Sequence, residues 1–287
     1  MKILKNYKVF FAISILLILS GFASFVIQGF NLGVDFTGGT MLILPFPEQT
    51  ESSLIRESLA PFELDPVIQQ SSGDSETVFI KTSTSLDASK RQEIFATLKK
   101  DFSLAEDAKM QVEQFGPNIG REISRRALYS VALASVGMLL YISFRFQLSY
   151  GIAAIITLLH DVFILLGIYT IFQITLDGNF IAAVLTIVGY SINDTIVIFD
   201  RIRENVKGIG KNEYWNLTGI SIDQSLSRTL VTSLTTVVMV LMLFIFGEHS
   251  VKIFALPLIC GIIAGTYSSV CIAGPLWALI TMRKQAK

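Results

Sequence analysis

The sequence predicts an α-helical polytopic membrane protein with six transmembrane helices and one extracytoplasmic α+β domain. Two observations carry this prediction. Hydrophobic residues make up 52% and charged residues only 16% of the 287 residues, which is far more apolar than an average soluble domain. The apolar residues form six long runs, and a long polar stretch between the first two runs has the periodicity of strands and short helices.

The first apolar run extends from Val9 to about Ile27 and is long enough to cross a bilayer. Lysines precede it. A cleaved signal peptide is the competing interpretation, but its apolar core would span only about 7 to 15 residues and end in a small-residue cleavage site. Here the run is longer and ends in FASFVIQGF. Residues 1–28 are therefore predicted to be a cytoplasmic N-terminus and a retained membrane anchor.

Residues 29–125 are predicted to form a water-exposed, periplasmic domain with the order β-α-β-β-α-β of ferredoxin-like folds. The predicted elements are, in order, strand TMLILPF, helix ESSLIRESLAPF, strands PVIQQSS and TVFIKTS around the turn Ser72-Gly73-Asp74, helix SLDASKRQEIFATLKKDF and strand KMQVEQF. Two amphipathic helices would cover one face of the sheet. The other face is left to water or to a partner.

Residues 126–287 contain five further apolar runs and are predicted to form a five-helix transmembrane domain. The runs cover about residues 127–144, 150–172, 180–199, 226–246 and 253–281. Six spans put both termini on one side, and basic residues at both ends indicate the cytoplasm. Residues 201–225 would form a cytoplasmic loop that holds an interfacial helix or contacts a soluble partner.

Three arginines oppose this orientation, because they lie beside the second span on the predicted outer side: Arg121, Arg125 and Arg126. The first span and the short loops usually dominate orientation, and the positive-inside rule counts poorly beside a long translocated domain. The predicted topology is therefore kept.

Composition and motifs argue against several functional classes. A formal net charge of +0 gives no basis for nucleic-acid binding. Cys260 and Cys271 lie about 16 Å apart along one predicted helix and cannot pair with each other. The sequence has no GxSxG, Walker A or HExxH pattern and no catalytic cysteine context. No enzyme activity, cofactor or metal site is predicted.

The fourth apolar run holds a carboxylate that needs an explanation. Asn193 and Asp194 lie deep within it, although an Asp at a transmembrane helix centre costs roughly 2.5 to 3.5 kcal/mol on insertion scales. Such residues usually face a bundle interior and mark an ion or proton path. Arg228 lies at a similar depth on the next helix, so an ion pair with Asp194 would offset the desolvation of both. Alternatively, Arg228 is an interfacial residue whose side chain snorkels.

Two other groups of polar residues lie in predicted helices. His160 and Asp161 are near the middle of the third span, but adjacent side chains point about 100° apart and cannot both face one partner. Asp161 is the predicted pathway member, and His160 would donate to a backbone carbonyl or a partner chain or serve a structural role. The inner half of the fifth span is rich in hydroxyls, which suits a hydrated interior: Ser225, Ser227, Thr229, Thr232, Ser233, Thr235 and Thr236.

These residues suggest a proton-coupled motor. Burial favours a neutral carboxyl and a nearby Arg favours the carboxylate, so that moving Arg228 toward or away from Asp194 could load and release a proton. Asp194 is thus the predicted proton carrier, Asn193 a helix-contact or hydrogen-bonding neighbour, and Asp161 a third member of the path. The static alternative is an ion pair that only fixes helix register.

Three motifs resemble those of the SecD/SecF protein-export family, within the resistance-nodulation-division transporter group. GVDFTGGT (33–40) resembles the signature after the first span, VGYSINDTIVIFDRIREN (188–205) the fourth-span motif, and SLSRTLVTSLTT (225–236) the fifth-span motif. The resemblance covers essentially the whole chain. It places the family's proton-path Asp and Arg on Asp194 and Arg228.

The resemblance implies a multi-pass subunit of the Sec export machinery in the bacterial cytoplasmic (inner) membrane. This subunit would pair with SecD, giving twelve spans in two similar halves, and would act with the SecYEG channel. It would use the proton motive force to promote late translocation and release of preproteins that SecA drives into the channel, with YajC as a further partner. Independently, polar residues along one side of a six-span chain need a partner surface to seal them from membrane lipid.

The motif GVDFTGG contains the signature residues Gly33, Asp35, Gly38 and Gly39. Its glycines permit backbone conformations that other residues avoid. It is predicted to be a hinge or docking turn between anchor and outer domain, with a plain loop as the alternative.

Two alternative functions remain open at this stage: half of a proton-coupled exporter of small molecules or lipids, and a passive scaffold without energy coupling. An exporter of small molecules or lipids needs a substrate pocket, and a single small outer domain argues against one. The passive scaffold would need no titrating carboxyl.

Overall fold

In the computed structural model of this chain, the structure describes residues 2–47, 50–64, 66–71, 76–206, 213–247 and 249–285. The predicted turn at residues 72–74 lies outside these ranges. The described residues form a bundle of long helices and a small α+β domain.

Six helices in the described ranges are long and apolar enough to cross a membrane, as predicted. After a short helix α1 (Lys2–Lys5), the bundle consists of α2 (Tyr7–Gln28), α6 (Pro117–Arg145), α7 (Leu148–Ile171), α8 (Gly178–Val206), α9 (Tyr214–Phe246) and a last span made of α10 (His249–Ser268) and α11 (Gly274–Gln285). A π-helical segment, Ser269–Ala273, joins α10 to α11.

The helices α8 and α9 extend through much of the segment that was predicted to be a loop at residues 201–225. Helix α8 continues to Val206 and α9 begins at Tyr214. The start of α9 packs against the start of α2 through aromatic rings: the ring centroids of Trp215 and Tyr7 are 4.9 Å apart. The amphipathic sequence, predicted to hold an interfacial helix, therefore forms the ends of α8 and α9, and these ends pack on the bundle.

The outer domain has the predicted βαββαβ order. After a helical turn α3 (Val34–Thr37), its elements are β1 (Gly39–Phe46), α4 (Ser52–Leu59), a 3₁₀ turn (Ala60–Phe62), β2 (Val67–Ser71), β3 (Glu76–Thr82), α5 (Ala88–Asp101) and β4 (Gln111–Phe115). The strand order is β2-β3-β1-β4 and every pairing is antiparallel. This is the sheet of a ferredoxin-like fold, with β1 in its interior.

Each part has its own hydrophobic core. In the outer domain, side chains of β1 such as Leu42 and Leu44 pack against Ile55 of α4 and Ile94 of α5, and all four are fully buried. In the bundle, α7, α8 and the last span formed by α10 and α11 lie at the centre, since 50% of the apolar part of each is buried, against 6% for α6. The two helices that carry the predicted acidic residues, α7 and α8, therefore contribute to the buried centre of the bundle.

Candidate functional site

Asp194 lies inside the bundle, as its position in an apolar run suggested. Its side chain is on α8, about 24 Å along the helix from Gly178, and the residue is only 2% exposed. Ser233 of α9 donates a hydrogen bond to Asp194 Oδ2 at 2.9 Å. A buried carboxyl with one hydroxyl donor is costly as an anion and far less costly when protonated.

Asp161 is the second buried carboxyl, at the centre of α7, and it is 1% exposed. Ser191 of α8 donates to Asp161 Oδ2 at 2.5 Å, and His160 Nδ1 lies 2.9 Å from Asp161 Oδ1. Ser191 precedes Asp194 by one helical turn, so α8 presents a donor to one carboxyl and holds the other on the same buried side. The two acidic residues thus belong to one polar region between α7, α8 and α9.

His160 has a different partner from those predicted. The imidazole contacts the neighbouring Asp161 carboxylate, and its ring stacks near Tyr267 of α10 with centroids 6.2 Å apart. Its Nε2 atom is buried and has no hydrogen-bond partner in the part of the chain that the structure describes. Two adjacent side chains on a helix cannot face one common partner, but they can bond to each other, as His160 and Asp161 do here.

Hydroxyl groups connect α8 to the π-helical segment. Thr195 Oγ1 lies 2.8 Å from Ser269 Oγ, and Ser269 also donates to the Ser191 carbonyl at 3.3 Å. An added Cβ at Gly265 would lie 2.9 Å from the Ser191 Cβ, so α10 and α8 are in close contact here. π-Helical turns often occur at functional sites, and this one directs a hydroxyl toward the residues next to both carboxyls.

Arg228 does not pair with Asp194, contrary to the prediction. Its side chain is exposed, and no ion pair joins the two within the described ranges. The face of α9 that packs inward is the stripe Ser225, Thr229 and Ser233. Arg228 is five residues before Ser233 and therefore points about 140° away from it around the helix. Arg228 has the same depth in the membrane as Asp194, but it lies on a different face of α9 from Ser233, which contacts Asp194.

Asn193 is also exposed and makes no hydrogen bond among the described residues. Asn193 was predicted to be a helix-contact or hydrogen-bonding neighbour of Asp194; the structure shows no hydrogen bond from it within the described part of this chain, and a contact with a helix of a partner stays a prediction. Adjacent residues on a helix are rotated by about 100°, so the burial of Asp194 turns Asn193 outward. Asn193 and Arg228 are two polar side chains on the outside of the bundle at membrane depth.

The C-terminal end of α8 is charged, and it lies on the side of the bundle away from the outer domain. Arg203 donates to Asp200 Oδ1 at 2.8 Å, and its guanidinium carbon lies 4.8 Å from the centre of the Phe146 ring. Arg201 donates to Gln224 of α9 at 2.6 Å. These charges lie about two turns or more beyond Asp194 and stabilise the α8 and α9 ends, without contacting the buried carboxyls.

The signature turn is ordered and docked. Gly38 and Gly39 have φ values of +76° and +142°, which favour glycine, and an added Cβ at Gly39 would lie 2.1 Å from a β3 carbonyl oxygen. Gly33 has an ordinary φ of −70°, and it is needed instead because an added Cβ would lie 2.8 Å from the Leu176 carbonyl oxygen. Asp35 accepts a hydrogen bond from the backbone of α8. The segment is therefore no plain loop.

Sequence reasoning missed the residues that link one helix to another, namely Ser191, Thr195, Ser269 and the partner of Asp35. Ser191 had a detectable signal, since it precedes Asp194 by one turn on the same face. The others depend on which helices are neighbours, and a single sequence carries no such information. Among the described residues, no group of three or more His, Cys, Asp or Glu side chains could hold a metal ion. The two buried carboxyls accept hydrogen bonds from the hydroxyls of Ser191 and Ser233.

The fold and the site define the class of protein: a six-span membrane protein with acidic groups buried in its bundle and a ferredoxin-like domain on one side. A family profile described as "Protein export membrane protein SecD/SecF, C-terminal" matches residues 94–283, and one described as "SecD/SecF GG Motif" matches residues 23–46. The chain belongs to the SecD/SecF family.

Similar proteins include SecF subunits and SecDF proteins. The protein translocase subunit SecF of Calditerrivibrio nitroreducens is 38% identical over 97% of this chain and 93% of that relative. The subunit SecDF of Bacillus subtilis is 34% identical over 94% of this chain and 37% of its own length. The crystal structure of SecDF from Thermus thermophilus superposes with a TM-score of 0.82 at 33% identity, covering 99% of this chain and 39% of that one.

Proposed function

We propose that this chain is a subunit of the Sec protein-export machinery that, with SecD, uses the proton motive force to promote late translocation and release of preproteins. The observation that supports this most strongly is the pair of buried carboxyls, Asp161 and Asp194, each held by a hydroxyl from a neighbouring helix. Ionisable residues inside a membrane bundle are expensive and usually mark an ion or proton path. The role is transport, not catalysis.

SecD covers the surface that carries Asn193 and Arg228. Both side chains are exposed at membrane depth, where contact with lipid would be costly for an Arg. In relatives named SecDF, a segment similar to this chain is part of one longer polypeptide, which supports SecD as the neighbour. Burial of the Arg228 face against SecD would seal the polar residues from lipid and place the guanidinium next to a moving interface.

In the proposed cycle, Asp194 carries the proton and Arg228 controls its release. Asp194 bonded to Ser233 alone is the loaded state, since it has no cation beside it. A rotation or shift of α9 against α8 that brings Arg228 to Asp194 would stabilise the carboxylate and expel the proton. Asp161, with Ser191 and His160 on either side, serves as a second acceptor along the same path.

The chain is oriented with both termini on the cytoplasmic side of the bacterial inner membrane and the outer domain in the periplasm. The beginning of the chain supports one side for both ends, since Tyr7 contacts Trp215 and Tyr214 lies near Trp277 of α11. This is the side that carries the α8 arginines, as the positive-inside rule requires. SecYEG supplies the channel, SecA drives insertion of the preprotein, and YajC is an accessory partner.

The test is gradient-stimulated export in inverted membrane vesicles from cells in which this chain is the sole copy. Asp194→Asn and Arg228→Met are expected to abolish the stimulation by the gradient and leave export driven by ATP alone unchanged. Asp200→Asn is the matched control, because Asp200 pairs with Arg203 at the helix end. Copurification with SecD shows whether each variant assembles.

Two results would contradict the proposal. If Asp194→Asn assembles and retains full gradient stimulation, the chain is a passive scaffold. If cells lacking the chain export proteins normally and instead lose efflux of drugs or lipids, the chain belongs to a small-molecule or lipid exporter.

A further inference from the structure

The signature turn is joined to the connection between α7 and α8 by backbone hydrogen bonds. Leu32 and Leu176 form a parallel bridge. The Leu176 amide donates to the Asn31 carbonyl at 2.8 Å, and the Gly33 amide donates to the Leu176 carbonyl at 2.7 Å. The Asn31 side chain adds a hydrogen bond to the Gln173 carbonyl at 2.9 Å. The chain that leaves the first membrane helix is thus paired with the chain that enters the fourth.

Asp35 extends this junction onto α8 itself. Its Oδ2 atom accepts a hydrogen bond of 2.7 Å from the amide of Gly178, the first residue of α8. A carboxylate at a helix N-terminus is favoured by the helix dipole and satisfies one of the unpaired amides. Asp177 accepts from the Phe180 amide at 3.2 Å and so caps α8 from within its own segment. Asp35 differs because it belongs to a separate segment, which leads to the outer domain.

The other side of α3 connects to the outer domain and to α6. Asp35 lies in α3, and the strand β1 begins at Gly39, with only Gly38 between the two elements. Strand β1 pairs with both β3 and β4, so it holds the centre of the sheet. An added Cβ at Gly120 of α6 would lie 2.2 Å from the Phe36 carbonyl oxygen. The turn is therefore packed closely on both sides and leaves little room for independent movement.

We propose that Asp35 is a positioning residue that fixes the outer domain to α8, so that a displacement of α8 at Asp194 is passed to the periplasmic side. This inference rests on the proposed function, in which Asp194 loads and releases the proton. The part of α8 between Gly178 and Asp194 is about 24 Å long. As a continuous helix, it transmits a displacement at Asp194 to Gly178. The Asp35 side chain links the N-terminal end of α8 to the segment that leads into β1, an interior strand of the outer domain.

The backbone bonds of the junction involve residues 31–33 and 176, which precede α8. Removal of the Asp35 carboxylate leaves those bonds in place and releases only the contact with the first amide of α8. The expected result is a chain that folds and assembles but transmits α8 movement poorly.

The experiment measures gradient-stimulated export in vesicles that contain SecD, with Cys260 and Cys271 replaced by Ala. Asp35→Ala is expected to lower the gradient-stimulated part of export about fivefold, the factor by which a lost helix-capping contact shifts an equilibrium. Asp87→Ala is the matched control. Asp87 also caps a helix N-terminus, accepting from the Lys90 amide at 2.8 Å, but that helix lies wholly within the outer domain.

A disulfide distinguishes positioning from a general effect on stability. An added Cβ at Gly178 would lie 3.4 Å from Asp35 Oδ2, so side chains at these two positions are direct neighbours and are the pair to cross-link. In the double variant Asp35→Cys/Gly178→Cys, oxidation is expected to restore the stimulation by the gradient, and a reductant is expected to remove it again.

Three outcomes are decisive. Asp35→Ala with stimulation equal to the parent would overturn the role of Asp35 and leave the proposed function intact. An oxidised double variant without stimulation would overturn a rigid junction in favour of one that must open. Asp194→Asn with full stimulation in the same vesicles would overturn the proposed function, and the inference would fall with it.

Discussion

Ser191→Ala should destabilise the bundle, because Ser191 is the only residue of α8 seen to donate to the Asp161 carboxyl among the described residues. Asp161 is 1% exposed and has the His160 ring nitrogen as its other hydrogen-bond partner. Water cannot easily replace the lost hydroxyl at such a site. The Ser191 carbonyl, which accepts from Ser269, is unaffected by the substitution, so the change removes one defined hydrogen bond.

The expected loss follows from the burial of the acceptor. An unsatisfied buried group costs about 1 to 3 kcal/mol, more when it is charged, while hydrogen bonds between membrane helices average about 0.6 kcal/mol with a maximum near 1.7. Because Asp161 is an acidic group with one remaining hydrogen-bond partner, the upper part of the membrane range applies. We expect Ser191→Ala to lower the free energy of unfolding by about 1.5 kcal/mol.

The assay is reversible unfolding of the purified protein in mixed micelles, followed by circular dichroism. The matched control is Ser268→Ala. Ser268 is 0% exposed, but its hydroxyl donates to the Gly265 carbonyl of its own helix, so we expect a loss below about 0.5 kcal/mol. Equal effects of the two substitutions would refute the reasoning, because the hydrogen bond between helices would then contribute nothing of its own.

Two glycine substitutions test close backbone packing. Gly39→Ala should destabilise the outer domain by about 1 to 3 kcal/mol, since it forces a Cβ at positive φ against a β3 carbonyl; thermal unfolding checks this, with Gly116→Ala, which meets nothing within 4 Å, as the tolerated control. Gly21→Ala should loosen α2 from α7 and lower bundle stability by about 1 to 3 kcal/mol, because its Cβ would lie 2.5 Å from the Gly167 Cα. Gly137→Ala is the matched control, because an added Cβ there would meet nothing within 4 Å, and it should leave bundle stability nearly unchanged. A loss of bundle stability in Gly137→Ala as large as that in Gly21→Ala would contradict the packing argument.

The architecture could be predicted because its signals are local in sequence. Six apolar runs gave six membrane helices, and alternation of residues in the polar segment gave the βαββαβ order. The ends of the helices were predicted less well. Residues 201–206 and 214–225 are helical. An interfacial helix was predicted within this segment, but its continuity with the membrane helices α8 and α9 was not, because packing of Tyr214 and Trp215 on other aromatic rings is not visible in hydropathy.

The candidate site could be predicted only in part. The burial of Asp194 and Asp161 followed from the cost of charge in an apolar run. In this structure Arg228 is exposed and does not pair with Asp194, because equal depth in the membrane leaves the angle around α9 undetermined; a pairing in another state of the bundle stays a prediction. The bond from Ser191 to Asp161 and the junction at Asp35 join segments distant in sequence, and their positions depend on the assembled fold.

The central claim, that Asp194 carries the proton that drives export, is tested most directly by proton flux in liposomes that contain this chain together with SecD. A pH-sensitive dye in the lumen reports flux after a gradient is imposed. We expect flux in the parent and in Asp200→Asn, and none in Asp194→Asn. Flux in Asp194→Asn equal to that of the parent, with SecD still bound, would contradict the claim.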